Sequence, residues 1–322
     1  MTSSEAPERA LIAVVGPTGS GKSALALHLC RKFQGEVVNC DSLQLYRHFD
    51  IGTAKLAMAE REGVPHHLID VLEPDEVFTA GEFARRARPI LVDISERGRL
   101  PVVVGGTGFY LRALLEGLFP GPRRDEDVRT RLSAREQRRP GSLHRLLRRF
   151  DRRSAQEIHP NDLPKIIRAL EVRVLTGRPM SEWFATDRDA LTGFRCLKLG
   201  LSPNRDRLYE RLNQRVVHMF DGGLIDEVAG LLARGVPPEA KPFESLGYRQ
   251  ALQVLRGDLT VKEAIFYTQR DTRNYAKRQW TWFRSDPAVE WLQGFGDEAD
   301  TLEAAAQEAV RYLTASPQSS GK

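Results

Sequence analysis

A glycine-rich loop between two apolar segments constrains the fold of this chain more than any other feature. Residues 11–15 (LIAVV) form the apolar run of a short buried strand, and residues 23–33 (SALALHLCRKF) carry apolar side chains at helical spacing. The loop between them, GPTGSGKS at 16–23, matches the pattern GxxxxGK[ST] in its strand–loop–helix context. The backbone N–H groups of such a loop bind phosphate, but they do not reveal what is attached to it.

Every residue of this loop is a candidate phosphate ligand. The set is Gly16, Pro17, Thr18, Gly19, Ser20, Gly21, Lys22 and Ser23. We expect Lys22 to reach terminal phosphate oxygens and the Ser23 hydroxyl to help hold Mg²⁺. Read alone, the pattern suggests ATP, and the sequence leaves open whether ATP binds here.

Further apolar runs extend the α/β pattern. Residues 36–40 (EVVNC) and 102–106 (VVVGG) predict strands, and residues 80–96 and the stretch after Thr107 predict helices. Strands that alternate with helices favour a parallel sheet covered on both faces. From about 120 to 193 nothing resembles a strand, and CLKLGL at 196–201 restores one. We predict a P-loop-type parallel sheet core at 1–119 and 194–315 with C-terminal helices, an all-helical basic insertion at 120–193, and a disordered tail at 316–322.

The carboxylates argue against a motor-type or switch-type nucleotide hydrolase. Those proteins place an acidic residue at the end of the third strand, where this chain has Gly105, Gly106 and Thr107. Asp41 follows the second strand and should face the phosphate loop, since ligands of parallel sheets bind beyond the carboxyl ends of the strands. Asp41 could take a proton from an acceptor or cap a turn with Ser42. The Thr107 hydroxyl could bind the acceptor or start a helix.

Positive charge is concentrated in one segment. The whole chain has a net charge of +5, yet residues 123–153 contain twelve arginines and five acidic residues. Arginine suits phosphate recognition because its planar fork binds two oxygens at once, so the segment indicates an RNA or DNA partner. A solvated helical face is the alternative. Trp280 and Trp282, among basic residues of KRQWTWFR at 277–284, could be core residues or platforms for bases.

Other features exclude several classes of protein. No apolar run approaches the roughly 20 residues of a membrane span. The first ten residues lack the basic and apolar regions of a signal peptide, so we expect a cytoplasmic protein, and we expect a monomer. Three cysteines without a CxxC pair predict neither a disulfide framework nor a zinc site.

Taken together, the motifs resemble those of one family, the bacterial tRNA dimethylallyltransferases, also called tRNA isopentenyltransferases. The stretches that carry the resemblance are GPTGSGKS, NCDSLQLYRHFDIGTAK, VPHHLIDVLEPDE, GGTGFYLRALLEGL, HPNDLPKIIRALEV, GLIDEV, LGYRQ and YAKRQWTWFR, in order from residue 16 to 284. The second and last of these stretches are far more specific than the phosphate loop.

The resemblance implies transfer of a dimethylallyl group from dimethylallyl diphosphate to the exocyclic amine of an adenine beside the tRNA anticodon. It implies that the loop holds the donor diphosphate with Mg²⁺, that Asp41 is the general base, and that Lys22 and Thr107 belong to the catalytic site. An arginine of RDRLYERLNQR at 205–215, with Arg211 as the first choice, could also contact the diphosphate. The segments that it implies for contact with the tRNA anticodon stem-loop are Asp41, Ser42, Leu43 and Gln44; Thr107; Arg129; Pro164, Lys165, Ile166, Ile167 and Arg168; and Lys277, Arg278, Gln279, Trp280, Thr281, Trp282, Phe283 and Arg284.

Three other functions share parts of this pattern. A small-molecule P-loop kinase would have the same loop and a similar acid, but little use for a long basic insertion. An adenylate isopentenyltransferase would use the same donor with a free nucleotide, and the basic insertion again argues against it. A non-catalytic RNA-binding NTPase module is the alternative that agrees least with an Asp41 that faces the loop and with the lack of an acidic residue after the third strand.

Overall fold

The computed structural model describes residues 8–184, 186 and 188–315, which form two compact units. One unit takes the described residues up to Leu114 and those from Thr192 onward, and the other is Leu115–Leu191. The stretch expected as an insertion, 120–193, lies mostly within this second unit. The predicted tail at 316–322 lies outside the described residues. Within the described ranges, no helix combines the length and apolarity needed to cross a membrane.

A six-stranded parallel sheet forms the first unit, as the sequence predicts. Its strands are β1 (Arg9–Val15), β2 (Gly35–Asn39), β3 (His66–His67), β4 (Leu100–Val104), β5 (Phe194–Ser202) and β6 (Val289–Gln293). They lie in the order β3-β2-β4-β1-β5-β6, and every neighbouring pair is parallel. The phosphate loop follows β1 in the middle of the sheet, so the carboxyl ends of β4 and β5 lie beside it, and that of β2 lies one strand beyond β4.

Helices connect and cover these strands. Those of the first unit are α1 (Lys22–Lys32), α2 (Ala80–Glu96), α3 (Gly108–Leu115), α9 (Arg205–Asp221), α10 (Leu224–Ala233), α11 (Tyr248–Leu255), α12 (Val261–Arg284) and α13 (Ala299–Thr314). The second unit contains α4 (Glu126–Arg138), α5 (Ser142–Phe150), α6 (Arg152–Glu157), α7 (Leu163–Thr176) and α8 (Met180–Trp183). Short 3₁₀ helices occur at Met58–Arg61 and Lys241–Glu244.

The sheet is buried on both faces because its strands are apolar at successive positions. Ile12 and Val14 pack with Leu25 and Leu29 of α1 and with Ala305 of α13 in one core cluster. Residues at the alternate positions of these strands, whose side chains point to the opposite face, are also fully buried. Helix α2 contacts β2 and β4. Because side chains alternate across a strand, helices must cover both faces.

The helical unit has a core of its own. Apolar residues of α4, α5, α6 and α7 form one cluster that includes Val128, Leu147 and Leu170. No strand occurs among its described residues, as predicted. Its outer helical faces carry the arginine-rich segment.

Two strands were not predicted from the sequence. His66–His67 is a two-residue edge strand, in which the His67 ring hydrogen-bonds with Glu36 at 2.7 Å. Strand β6 (VEWLQ) mixes buried and exposed residues and lacks the continuous apolar run of the central strands. Strand β3 is too short for periodicity to identify, and both strands form because a neighbouring strand offers a free hydrogen-bonding edge.

Candidate active site

The phosphate loop presents a set of free backbone N–H groups. Gly21 has φ +89°, a left-handed conformation that favours glycine, and it leads directly into α1. Among the N–H groups without an acceptor within the described part are those of Gly19, Gly21, Lys22, Ser23 and Ala24. No acidic residue occurs in the first turn of α1. This arrangement is a site for an anion with several oxygens.

The loop is enclosed by α9 and by residues 295–297. A Cβ on Gly19 would lie 2.7 Å from Cδ2 of Leu212, and one on Gly21 would lie 2.7 Å from the N of Gly296. The Gly296 N–H donates to the Ser20 carbonyl at 2.8 Å. Ser20 is fully buried, and its hydroxyl has no hydrogen-bond partner among the described residues.

Lys22 lies in the same crevice as a carboxylate and a second cation. Its Nζ donates to the Pro17 carbonyl at 2.8 Å. Burial lowers the pKa of Lys22 to about 8, the Asp41 carboxylate opposes this shift, and the Arg215 guanidinium adds to it. Asp41 therefore lies across from the phosphate loop, in the position expected from the order of the strands.

Asp41 is held in a turn at the end of β2. Its Oδ1 accepts a hydrogen bond from the Leu43 N–H at 2.9 Å, and its own N–H donates to Oδ1 of Asn39 at 3.1 Å. The Thr107 hydroxyl accepts from the Ser42 N–H at 3.1 Å. Asp41 thus caps a turn, and its carboxylate lies close enough to Lys22 to raise the pKa of that ammonium group. Thr107 joins the ends of β2 and β4 in the same crevice.

Two arginines of the stretch RDRLYERLNQR at 205–215, Arg211 and Arg215, have different surroundings. Arg211 forms a two-pronged ion pair with Asp297, at 2.9 and 2.8 Å. Arg215 lies one turn further along α9, is desolvated, and forms no ion pair or hydrogen bond with the described residues. Burial and the nearby Arg211 lower the pKa of the Arg215 guanidinium, and Asp41 raises it.

The segment 277–284 has two faces. Its exposed side chains are Lys277, Arg278, Thr281, Trp282 and Arg284, and Trp280 is half-buried beneath Arg284, whose guanidinium lies 4.9 Å from the Trp280 ring centre. Gln279 and Phe283 are buried, 6% and 3% exposed. A side-chain contact between RNA and these last two would require the helix to move.

In the helical unit, a buried carboxylate holds two of the predicted tRNA-binding arginines. Glu171, which is fully buried, accepts from Arg129 at 3.2 Å and from Arg168 at 2.6 Å. Pro164 and Lys165 are exposed at the start of α7. The next two predicted contacts, Ile166 and Ile167, are core residues, 1% and 6% exposed.

Most of the arginine-rich segment is exposed and unpaired. Among the twelve arginines of 123–153, the ion pairs formed with described residues involve Arg124, Arg129 and Arg153. The other nine are exposed. An internally paired helical face would not leave so much positive charge to solvent, so the segment suits a polyanion.

The residues at the loop fit Mg²⁺ only together with a phosphate ligand. The described residues contain no cluster of three or more His, Cys, Asp or Glu side chains suited to a metal. Ser23 is exposed, and its hydroxyl has no hydrogen-bond partner in the described part. Mg²⁺ commonly keeps several waters and binds substrate phosphates rather than an all-protein cage.

A parallel sheet with a phosphate-binding loop after its first strand, and a carboxylate facing that loop, defines a P-loop protein of the group-transfer class. Residues 44–286 match the family model described as IPP transferase, and the chain belongs to that family. It is 62% identical over 303 residues to the tRNA dimethylallyltransferase of Solibacter usitatus, covering 94% of this chain and 99% of that one. It is 56% identical over 290 residues to the enzyme of the same name from Koribacter versatilis, covering 90% and 94%.

Solved structures show the same likeness. The tRNA isopentenylpyrophosphate transferase of Bacillus halodurans is 39% identical with a TM-score of 0.70, covering 95% of this chain and 97% of that one. A eukaryotic dimethylallyltransferase acting on tRNA is 28% identical with a TM-score of 0.78, covering 97% and 81%.

Proposed function

We propose that this chain transfers a dimethylallyl group from dimethylallyl diphosphate to the exocyclic amine of the adenine next to the anticodon in tRNA, releasing pyrophosphate. The observation that carries the proposal is the crevice in which free loop N–H groups, Lys22 and Arg215 face Asp41 and Thr107. Relatives of high identity named tRNA dimethylallyltransferase support it.

In this reaction the bond between the allylic carbon and the diphosphate oxygen breaks, and its electron pair leaves with the pyrophosphate. The loop N–H groups and the two cations stabilise that developing charge, because they are already oriented before the reaction begins. A site with two cations and one carboxylate keeps a net positive charge, which suits a diphosphate.

The amine nitrogen then forms a bond to the allylic carbon and loses a proton. Asp41 is the candidate general base, since its Oδ1 is engaged in the turn while its carboxylate faces the crevice. The Thr107 hydroxyl lies beside Ser42 and can orient the acceptor base. The adenine must leave its stack to reach the crevice, which costs less in a single-stranded anticodon loop.

Other components of the proposal concern binding. The exposed arginines of 123–153 and the exposed residues of 277–284 bind the anticodon stem-loop. The Ser23 hydroxyl would hold Mg²⁺ together with the diphosphate, and the bound ion would supply further charge stabilisation. The protein acts in the cytoplasm, and it acts as a monomer. Sedimentation of the purified chain would test the monomeric state.

The experiment incubates the protein with labelled dimethylallyl diphosphate or labelled ATP, each with tRNA, with AMP or another small acceptor, or with no acceptor. Label that moves from the prenyl donor into tRNA supports the proposal. Label that moves from the donor into free AMP would instead indicate an adenylate isopentenyltransferase. Label that moves from ATP to a small acceptor would indicate a kinase and refute the proposal.

A further inference from the structure

The side chain of Gln279 links two loops at the carboxyl edge of the sheet. It lies near the end of α12, and its Oε1 accepts a hydrogen bond from the Thr18 N–H at 2.8 Å. Its Nε2 donates to the Gly106 carbonyl at 2.9 Å. One buried carboxamide therefore joins the phosphate loop to the loop that carries Thr107.

The packing around this carboxamide is close. A Cβ on Gly106 would lie 2.2 Å from Nε2 of Gln279 and 3.7 Å from Nζ of Lys22. Residue 106 must therefore lack a side chain for the carboxamide to reach its carbonyl. The same distances place the carboxamide near the ammonium group of the phosphate site.

The two hydrogen bonds require an amide side chain. An oxygen has to accept from Thr18 while an NH₂ group donates to Gly106, and only Asn and Gln carry both groups. A carboxylate or an apolar side chain would leave a buried main-chain group unpaired. Within the described part, a side chain from the distant helix α12 accepts the hydrogen bond of the Thr18 N–H. Several other N–H groups of the loop remain free for phosphate.

We propose that Gln279 is a positioning residue that fixes the separation between the phosphate loop and the Thr107 loop. The donor carbon is held by the first loop, and the acceptor amine is oriented by the second, so this separation determines whether they meet in line. The inference rests on the proposed function and gives Gln279 a role other than contact with tRNA. Its carboxamide is buried, and both of its ends are already bonded.

The test is the isosteric variant Gln279→Glu, which keeps the acceptor for Thr18 and loses the donor to Gly106. We expect kcat to fall on the order of 10- to 100-fold, because a misplacement of about 1 Å costs roughly 100-fold. The KM for tRNA should stay within about twofold. Gln307→Glu is the matched control, since Gln307 is exposed on α13 and, among the described residues, its side chain hydrogen-bonds to Glu303.

Two outcomes overturn the inference. A raised KM for tRNA with kcat preserved at saturating tRNA would make Gln279 a contact residue. If both kcat and the KM for tRNA were unchanged, Gln279 would have no positioning role. If the wild-type chain itself transfers no label to tRNA, the proposed function fails instead, so the two failures are distinguishable.

A second route disturbs the same carboxamide without changing Gln279. The backbone of Gly106 does not need a positive φ, so Gly106→Ala is allowed locally, but its Cβ displaces the carboxamide. We expect a similar loss in kcat. In the double variant that combines Gly106→Ala with Gln279→Ala, the Cβ has no carboxamide to displace. The fall in kcat of this double variant should therefore be smaller than the product of the falls in the two single variants. Fully multiplicative losses would contradict the link.

Discussion

Replacing Asp41 by asparagine separates its chemical role from its structural one. An asparagine Oδ1 can still accept the Leu43 N–H, which lies 2.9 Å from the Asp41 oxygen, so the turn after β2 should persist. The variant has no carboxylate to take the proton of the adenine amine. A positioned general base contributes about 10²- to 10⁴-fold in rate, or roughly 3–5 kcal/mol of transition-state stabilisation. We expect kcat to fall by that factor.

Donor binding should survive the same change. The Asp41 carboxylate faces Lys22 and Arg215, and its removal makes the crevice more positive. That carboxylate also raises the pKa of Lys22, so its loss moves this pKa below about 8. Measurements at about pH 6.5 keep Lys22 charged, and there the dissociation constant for dimethylallyl diphosphate should be equal to or lower than that of the wild type.

The assay combines rapid quench with labelled donor and an anticodon stem-loop, donor titration by calorimetry, and thermal unfolding. Asp258→Asn provides a matched control, because Asp258 is an exposed aspartate between α11 and α12. Near-normal kcat would refute the assignment of the base. A loss of donor binding together with a lower Tm would show that Asp41 acts through the fold instead.

The remaining predictions concern the diphosphate, RNA and acid stability. Arg215→Ala should raise the donor KM about 10- to 100-fold, as expected for a charge-assisted hydrogen bond, and Arg211→Ala should change it less than about threefold; the reverse order in steady-state kinetics would favour Arg211. Replacing three exposed arginines of α4 by glutamine should weaken tRNA binding and reduce the log–log salt slope by about 2, and an unchanged slope in filter binding would make the segment a plain solvated face. Hydrogen bonds from Arg97 lower the pKa of Glu36 from 4.5 to about 2, so its stabilising effect is full above pH 4.5 and is lost as the pH falls toward 2. In urea unfolding, Glu36→Gln should flatten the fall in stability between pH 5 and 2 by at most about 3 kcal/mol, reduced by solvent screening of the exposed Arg97, and an identical pH profile would refute the ion pair.

The local sequence pattern was sufficient to predict the parallel sheet, the phosphate loop and the placement of Asp41 beside that loop. The strand–loop–helix signal lies within about twenty consecutive residues, and α2 begins and ends where the helical spacing predicts, at Ala80 and Glu96. Parallel strands place their carboxyl ends at one edge, so the chain order alone puts Asp41 opposite Lys22. The edge strands β3 and β6 have no continuous apolar run as a signal, since they depend on the neighbours with which they pair.

The sequence by itself determined the class of fold, the phosphate loop and the facing carboxylate, because each depends on contiguous residues and on strand direction. Only the tertiary structure decided which residues of α9 and α12 point at the loop. Arg211 and Arg215 are equivalent in composition, yet docking of α9 pairs the first with Asp297 and leaves the second desolvated beside Asp41. Gln279 lies among residues with a nucleic-acid signature, yet docking of α12 turns it inward onto Thr18 and Gly106. Such orientations depend on long-range packing, which no local pattern specifies.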